Sequence, residues 1–315
     1  MVAPVIRRWI GRDLIGPNCQ GNDMRCQHCG VLRRSPGSLR PLSRLFAASL
    51  ALAMAGANAA SADCALEPAL TRAVARVVDG ETLALDDGTE VRLIGALSPR
   101  PLEAAADVSF WPPEREAMAE LGRLVLGRSV ELAFVGRRTD RYGRLLAHVF
   151  VRSGTARVWV QEHMLRTGHA RAYSLPDNVA CMDELMAHER VAREARRGLW
   201  DHAAYQIRPA ERTRELLRWR SSFQLVEGRV VRVTSVRGQV FVNFGDNWRE
   251  DFTASVRRRL PSTNLDFKTL EGRLVRIRGW IERRAGPAID IHHPSQIEIV
   301  EDHEPAPFTP TMVPR

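Results

Sequence analysis

Two short stretches hold the residue types that phosphate chemistry uses. The first, Asp79-Gly80-Glu81-Thr82, sets two carboxylates around a glycine, and Arg92 follows ten residues after Thr82. The second, Arg138-Thr139-Asp140-Arg141-Tyr142-Gly143-Arg144, holds three arginines and one acid. A guanidinium presents a planar fork of donors that matches phosphate oxygens and stabilises charge developing on them. Carboxylates gather hard divalent cations, which activate water and neutralise phosphate, but such an ion needs several oxygen ligands. Both aspartates also have a plainer role, since Asp79 and Asp140 can accept backbone N–H groups of their own turns. Tyr142 suits stacking on a sugar or base, and packing equally.

The elements that must position these groups are legible around them. Residues 72–78, 82–85 and 90–94 read as strands separated by Asp79-Gly80 and Asp86-Asp87-Gly88, a strong hairpin signal. A proline-rich loop leads to a helix from 114 to about 126, with Ala117, Leu121, Leu124 and Val125 at helical spacing. Strands over 129–135 and 145–151 flank the arginine-rich turn. A short helix over 159–167 ends at Gly168. A longer one over 178–197 ends at Gly198 and would turn Cys181, Leu185, His188, Ala192 and Ala195 inward. The order β-β-β-α-β-β-α-α predicts an α+β, mostly β domain: an OB-fold-type five-stranded barrel with three helices, closed by Trp200.

In this order and spacing, Val78-Asp79-Gly80-Glu81-Thr82, Val91-Arg92-Leu93-Ile94, the Arg138–Arg144 turn and Arg197-Gly198-Leu199-Trp200 resemble the staphylococcal-nuclease (thermonuclease) family. The resemblance covers about residues 72–200. It implies phosphate-contacting arginines at Arg92 and Arg144, metal ligands at Asp79 and Glu81, and catalysis by Arg92, Glu81 and Arg144. It also exposes departures. The family's Asp-Gly-Asp-Thr turn is one methylene longer here at Glu81, and its Asp-Thr-Pro-Glu segment reads Leu97-Ser98-Pro99-Arg100. Leu97 cannot ligate a cation, and Arg100, where the family has its general base, cannot accept a proton at any working pH.

Three readings follow from that pattern. In the first, the site binds anions without chemistry: Arg100 replaces the metal's charge and joins Arg92 and Arg144, with Tyr142 beside them, in a phosphate-sized pocket. In the second, the chain is a divergent metal-dependent phosphodiesterase using Glu81, Arg92 and Arg144, its metal or base drawn from Glu81, Asp79 or a nearby acid such as Glu103. In the third, the arginines are structural partners of Asp79, Glu81 or Asp140. No cofactor is certain; Ca2+ or another divalent cation is an option with an incomplete ligand set. Tyr173 falls near the family's aromatic nucleoside pocket, where core packing is the alternative. The first reading is preferred, with nucleic acid or another polyanion as partner and weak or no nuclease activity. Binding to an envelope protein is a further alternative, its partner unknown.

Charge alone decides little. The 315 residues carry a net +9, but residues 1–62 hold eight arginines against Asp13 and Asp23, so the rest carries only +3. That leader places Arg33, Arg34, Arg40 and Arg44 before an apolar run over 45–55 and small residues up to Ala59 and Ala62. The pattern predicts a cleaved signal peptide, a periplasmic or secreted product, and no stable membrane anchor after cleavage. Cys26-x-x-Cys29 with His28 lacks a fourth ligand for zinc. In the mature chain only Cys64 and Cys181 remain, and export favours a disulfide between them, with two free thiols as the alternative.

The expected organisation is a leader (1–62), the nuclease-like domain (63–201), an arginine-rich helical linker (202–221), a second small OB-like β-barrel (222–302) and a disordered tail (303–315). In the second barrel Phe241, Phe244, Trp248 and Trp280 are either stacking platforms or core, and Arg257-Arg258-Arg259 could track a backbone. His163, His169, His188, His292 and His293 have no metal-ligand spacing.

Overall fold

The computed structural model describes residues 64, 66–101, 111–256, 260 and 266–300, all within one compact unit. The leader, Glu103, Arg257-Arg258-Arg259 and the tail lie outside the described residues.

Strands β1 (Leu70–Asp79) and β2 (Thr82–Leu85) form a hairpin, and β3 (Glu90–Leu93) pairs with the far side of β2. Register shifts at Val74/Arg76 and Val77/Asp79 re-phase β1, so that Val74 and Val77, three residues apart, both enter the core. Gly80 is required in the turn by close approach. A Cβ there would collide with Ser98 Oγ and lie 3.0 Å from the Ala117 Cβ.

After β4 (Gly95–Leu97) come α1 (Pro112–Val125), β5 (Ser129–Ala133), β6 (Leu145–Ser153) and β7 (Ala156–Trp159). β5 pairs with β1 and β6, and β6 closes the ring by parallel pairing with β3. The product is the expected closed five-stranded barrel, β1-β2-β3-β6-β5, with β7 appended. α1 covers it with Ala117, Leu121 and Val125, one residue per turn, all fully buried. α2 (Val160–Arg166), β8 (Arg171–Tyr173) and α3 (Met182–Glu194) complete this lobe.

α3 is shorter than its sequence pattern at both ends. Asp177 (φ 67°) and Cys181 (φ 63°) are left-handed, which delays its start, and Arg196 (φ 48°) follows its end. Its buried residues are Met182, Leu185, Met186, Glu189 and Ala192. Ala195 is therefore exposed, against expectation, and His188 only half-buried, 3.9 Å from Glu184.

The segment 202–221 is not one connecting helix. It holds one short 3-10 turn (Ala203–Tyr205), the two-residue strand β9 (Arg208–Pro209) and a six-residue helix α4 (Thr213–Arg218). Arg212, Arg214, Arg218 and Arg220 are exposed as a solvated face requires, but Arg208 is buried. Its guanidinium stacks 3.5 Å over Trp219 and donates to Gln224 and to the Ala204 carbonyl, so it is a core residue.

The second lobe comprises β10 (Phe223–Arg229), β11 (Arg232–Val236), β12 (Gln239–Asn243), β13 (Thr253–Val256), β14 (Leu274–Trp280), β15 (Glu282–Arg284), β16 (Gly286–Ile291) and β17 (Ile297–Ile299). The strand expected over 224–234 breaks at Val230-Val231, whose N–H groups go to Arg273 and Asn243 carbonyls. The chain thus moves from one sheet (β17-β14-β10-β9) to another (β11-β12-β13-β16-β15). The antiparallel β10–β14 and parallel β13–β16 pairings nonetheless repeat the logic of β1–β5 and β3–β6 in the first lobe.

Each lobe has its own apolar core, and a third cluster joins them. Leu97, Ala192, Leu199 and Trp200 from the first lobe pack with Tyr205, Phe223 and Leu225.

Two expectations concern the first lobe's interior. His148 on β6 is fully buried, edge-on to Trp159, and its pKa falls to about 4 because burial penalises the charged ring. The unfolded chain, with an ordinary histidine, binds the proton first, so stability should fall as pH drops from about 6.5 towards about 4, by on the order of 3 kcal/mol. Denaturant melts of the wild type and of His148→Met across that window test this; identical acid limbs would refute it. Cys64 and Cys181 have Cα atoms 5.5 Å apart, within reach of a disulfide. A non-reducing digest of protein purified without reductant should yield a Cys64–Cys181 cross-linked peptide, and two free-thiol peptides would remove the bridge.

Candidate functional site

Glu81 and Arg92 are neighbours because the hairpin register sets Thr82 opposite Arg92. Glu81 is fully buried, and both its oxygens are engaged. Oε1 accepts from Arg100 Nη2 at 2.6 Å and faces Arg92 Nη2 at 3.2 Å; Oε2 accepts the Ser98 backbone N–H at 2.8 Å. A buried carboxylate needs such compensation to remain charged. The Arg92 side chain is only 18% exposed, whereas Arg100 is 53% exposed. Asp79 shapes the turn: its Oδ1 accepts the Glu81 N–H at 2.8 Å.

Arg144 immediately precedes β6. The parallel register Val91↔Leu145 and Arg92↔Leu146 carries it alongside the strand that bears Arg92. Its Nε and Nη2 lie 2.8 and 2.7 Å from Asp140 Oδ2, while Asp140 Oδ1 accepts the N–H groups of Tyr142 and Arg144. Burial alone would raise the Asp140 carboxyl, but Arg144 and these N–H groups hold it below the usual carboxylate range. Tyr142 stands exposed, its ring 4.8 Å from the Arg141 guanidinium and 5.4 Å from that of Arg144. The acid–arginine pairs of the third sequence reading are thus present for Glu81 and Asp140. They do not exhaust the arginines, because each guanidinium has five donors.

Several residues near the site have no sequence signal of their own. Glu114, in the first turn of α1, has its pKa raised by burial and by Asp79, with Arg100 opposing. Arg171 is buried and donates to the Phe223 carbonyl of β10, its guanidinium 4.9 Å from the Tyr205 ring. Leu97 is buried in the interlobe cluster against Phe223 and Leu225. The position where the resemblance calls for a second carboxylate thus serves as the floor on which the second lobe rests. Tyr173 packs edge-on to Phe223 at 5.6 Å, and burial raises its pKa while Arg92 opposes the rise.

The second-lobe aromatics separate into three places. Phe244 is core, 5.0 Å from Phe252. Phe241 and Trp248 line a cavity of about 460 Å³ on the outer face of the five-stranded sheet, beside Arg232, Asn243 and Arg284. Trp280 sits at the end of β14, opposite Phe223. Among the histidines, His163 pairs with Glu120 at 2.6 Å, His169 with Thr167, and His293 caps a short turn through Ser295. His292 is exposed.

Residues 90–202 match the family model described as staphylococcal nuclease homologue. That part of the chain is a staphylococcal-nuclease-like domain. The match begins after the Asp79–Thr82 turn, although β1 and β2 belong to the same barrel. Among relatives, the thermonuclease of Staphylococcus hyicus is 27% identical over 135 residues, 42% of this chain and 76% of that protein. Endonuclease YncB of Bacillus subtilis is 29% identical over 133 residues, 41% of this chain and 61% of its own. An uncharacterised protein of Methanocaldococcus jannaschii is 28% identical over 149 residues, 41% of this chain and 70% of its own. Each alignment spans less than half of this chain, about what the nuclease-like domain occupies.

Proposed function

We propose that this chain binds nucleic acid, or another phosphate-bearing polymer, through Arg92, Arg100 and Arg144 of its nuclease-like domain, with weak or no hydrolysis. One observation carries the reading: the Glu81 carboxylate is closed by two guanidiniums and the Ser98 N–H. A calcium ion would have to displace Arg100 from Glu81 and find further oxygens where Leu97 offers only carbon, so these residues do not fit it. The Arg100 guanidinium supplies positive charge directly, and its exposed donors, with those of Arg92 and Arg144, suit phosphate oxygens. The similarity to a thermonuclease and an endonuclease favours nucleic acid among such polymers. The basic, apolar and small-residue leader supports action outside the cytoplasm.

A second reading, hydrolysis, has one observation in its favour. Glu114 is a carboxyl of raised pKa close to both Asp79 and Arg100, which is the profile of a proton-transfer group.

The deciding assay takes the mature chain from Asp63 and incubates it with single-stranded DNA, RNA and duplex DNA under calcium, magnesium, manganese or chelator. Binding that persists in chelator is expected. The Arg92→Ala/Arg144→Ala variant should weaken it and flatten the log–log salt dependence by about two, one per lost phosphate contact. Cleavage that disappears in that variant would overturn the binding reading in favour of hydrolysis. Salt-insensitive behaviour with no binding would move the function to protein recognition.

A further inference from the structure

Trp280 belongs to the second lobe but stands against the first. Its β-bridge partner is Phe223, with ring centroids 6.1 Å apart at 74°. Phe223 in turn meets Tyr173 edge-on at 5.6 Å. Tyr173 lies on β8 opposite Gly95, three residues beyond Arg92, and within electrostatic range of both Arg92 and Glu81. Trp280 is thus held at its edge by Phe223, itself braced by Tyr173, yet it remains 44% exposed. A large aromatic left open while its edge is held in this way keeps its orientation, which is what a stacking platform needs.

We propose that Trp280 forms a base-stacking subsite adjoining the Arg92–Arg100–Arg144 pocket, so that the second lobe selects single-stranded nucleic acid for the first. The inference rests on the phosphate-pocket reading above and names the polymer it takes. The arginines hold phosphate oxygens, which every nucleic acid and every polyphosphate offers. A flat indole beside them adds attraction only for a polymer whose bases are free to leave their neighbours. Duplex DNA keeps its bases stacked and paired, and polyphosphate has none. This also gives the docking of the lobes a function. The β10 strand that buries Leu97 and caps Arg171 is the strand that Trp280 pairs with, so the contact that covers the would-be metal position also delivers the platform.

The test measures fluorescence anisotropy of a labelled ten-nucleotide thymidine strand, the matching duplex, and inorganic polyphosphate as a competing phosphate-only probe. Proteins are the mature chain and its Trp280→Ala, Trp280→Phe, Trp248→Ala and Arg92→Ala/Arg144→Ala variants. Trp280→Ala should weaken single-strand binding by about tenfold or more, leave polyphosphate competition unchanged, and erase the preference over duplex. Trp280→Phe should recover most of the loss, and Trp248→Ala should change nothing. Unchanged single-strand binding in Trp280→Ala, or equal loss of both probes, would overturn the subsite while the arginine pocket stood. Loss through Trp248→Ala instead would move base contact to the second-lobe cavity and overturn it too. If the double arginine variant bound all probes like wild type, the pocket reading itself would fail, and the subsite with it.

Discussion

Arg278→Ala should cost the folded chain about 3–5 kcal/mol, because it leaves a buried carboxylate short of its main partner. Arg278, on β14 of the second lobe, is 1% exposed. Its Nη1 and Nη2 meet the two oxygens of Glu189, on α3 of the first lobe, at 3.0 and 2.9 Å. Glu189 is itself fully buried and accepts the Ala172 N–H at 2.6 Å, next to Tyr173. Arg193 supplies one more donor to Glu189 and passes the chain of charge on to Glu298 of β17, which also holds Arg276. The geometry is bidentate and every oxygen of Glu189 is used, the condition under which a buried pair holds its place. Removing one member strands the other, and Arg193 alone cannot replace two parallel hydrogen bonds. Urea unfolding at neutral pH reads the effect. Arg123→Ala, at an exposed pair with Glu120, should lie within about 0.5 kcal/mol of wild type in the same assay. An Arg278→Ala protein as stable as Arg123→Ala would mean that the lobes are held by the apolar cluster alone. The same variant should loosen Ala172 and Tyr173, so its effect on binding must be read together with its stability.

The first lobe was legible because its signals are local. Asp-Gly turns, alternating strands and a helix with one buried residue per turn fix the barrel, and periodicity specifies each of them without knowledge of the rest. The closeness of Arg92 to Glu81 was legible through motif spacing, since the register pairs Arg92 with Thr82. Much of what the sequence concealed depends on contacts between residues far apart in the chain. Nothing near Glu189 announces Arg278, eighty-nine positions later. An acid on the apolar face of a helix pattern, followed four residues on by Arg193, was the one available hint. Arg208 misled for the opposite reason: a run of arginines reads as a solvated face, and only Trp219 and Gln224 reveal that one member turns inward. Leu97 was read as a lost ligand. Its gain, a place in the core between lobes, is visible only once Phe223 is set beside it.

That gain predicts that the ancestral-looking chemistry cannot be recovered by restoring its residue. Leu97→Asp should destabilise the chain by at least about 3 kcal/mol at pH 7, since it deletes buried apolar contact and sets a carboxylate among Leu199, Trp200, Phe223 and Leu225. Burial there raises the new carboxyl's folded pKa above its unfolded value near 3.9. A raised carboxyl is tolerated while protonated and penalised once ionised. The deficit against wild type should therefore be smallest near pH 4 and grow as pH rises through the folded pKa. Leu97→Asn, equally polar but uncharged, should show a pH-independent deficit. The comparison is a pair of denaturant midpoints at pH 4.5 and 7 for each protein, and a flat Leu97→Asp profile would mean that the carboxylate escapes to solvent. Adding Arg100→Glu to Leu97→Asp recreates the acids that the Asp-Thr-Pro-Glu pattern carries, and frees Glu81 of one guanidinium. If the second lobe has taken over this ground, calcium should not raise the melting temperature of that double variant, because its new aspartate points into an apolar interface. A calcium-dependent rise would show instead that the cavity can open, and that two substitutions separate a phosphate-binding pocket from a metal site.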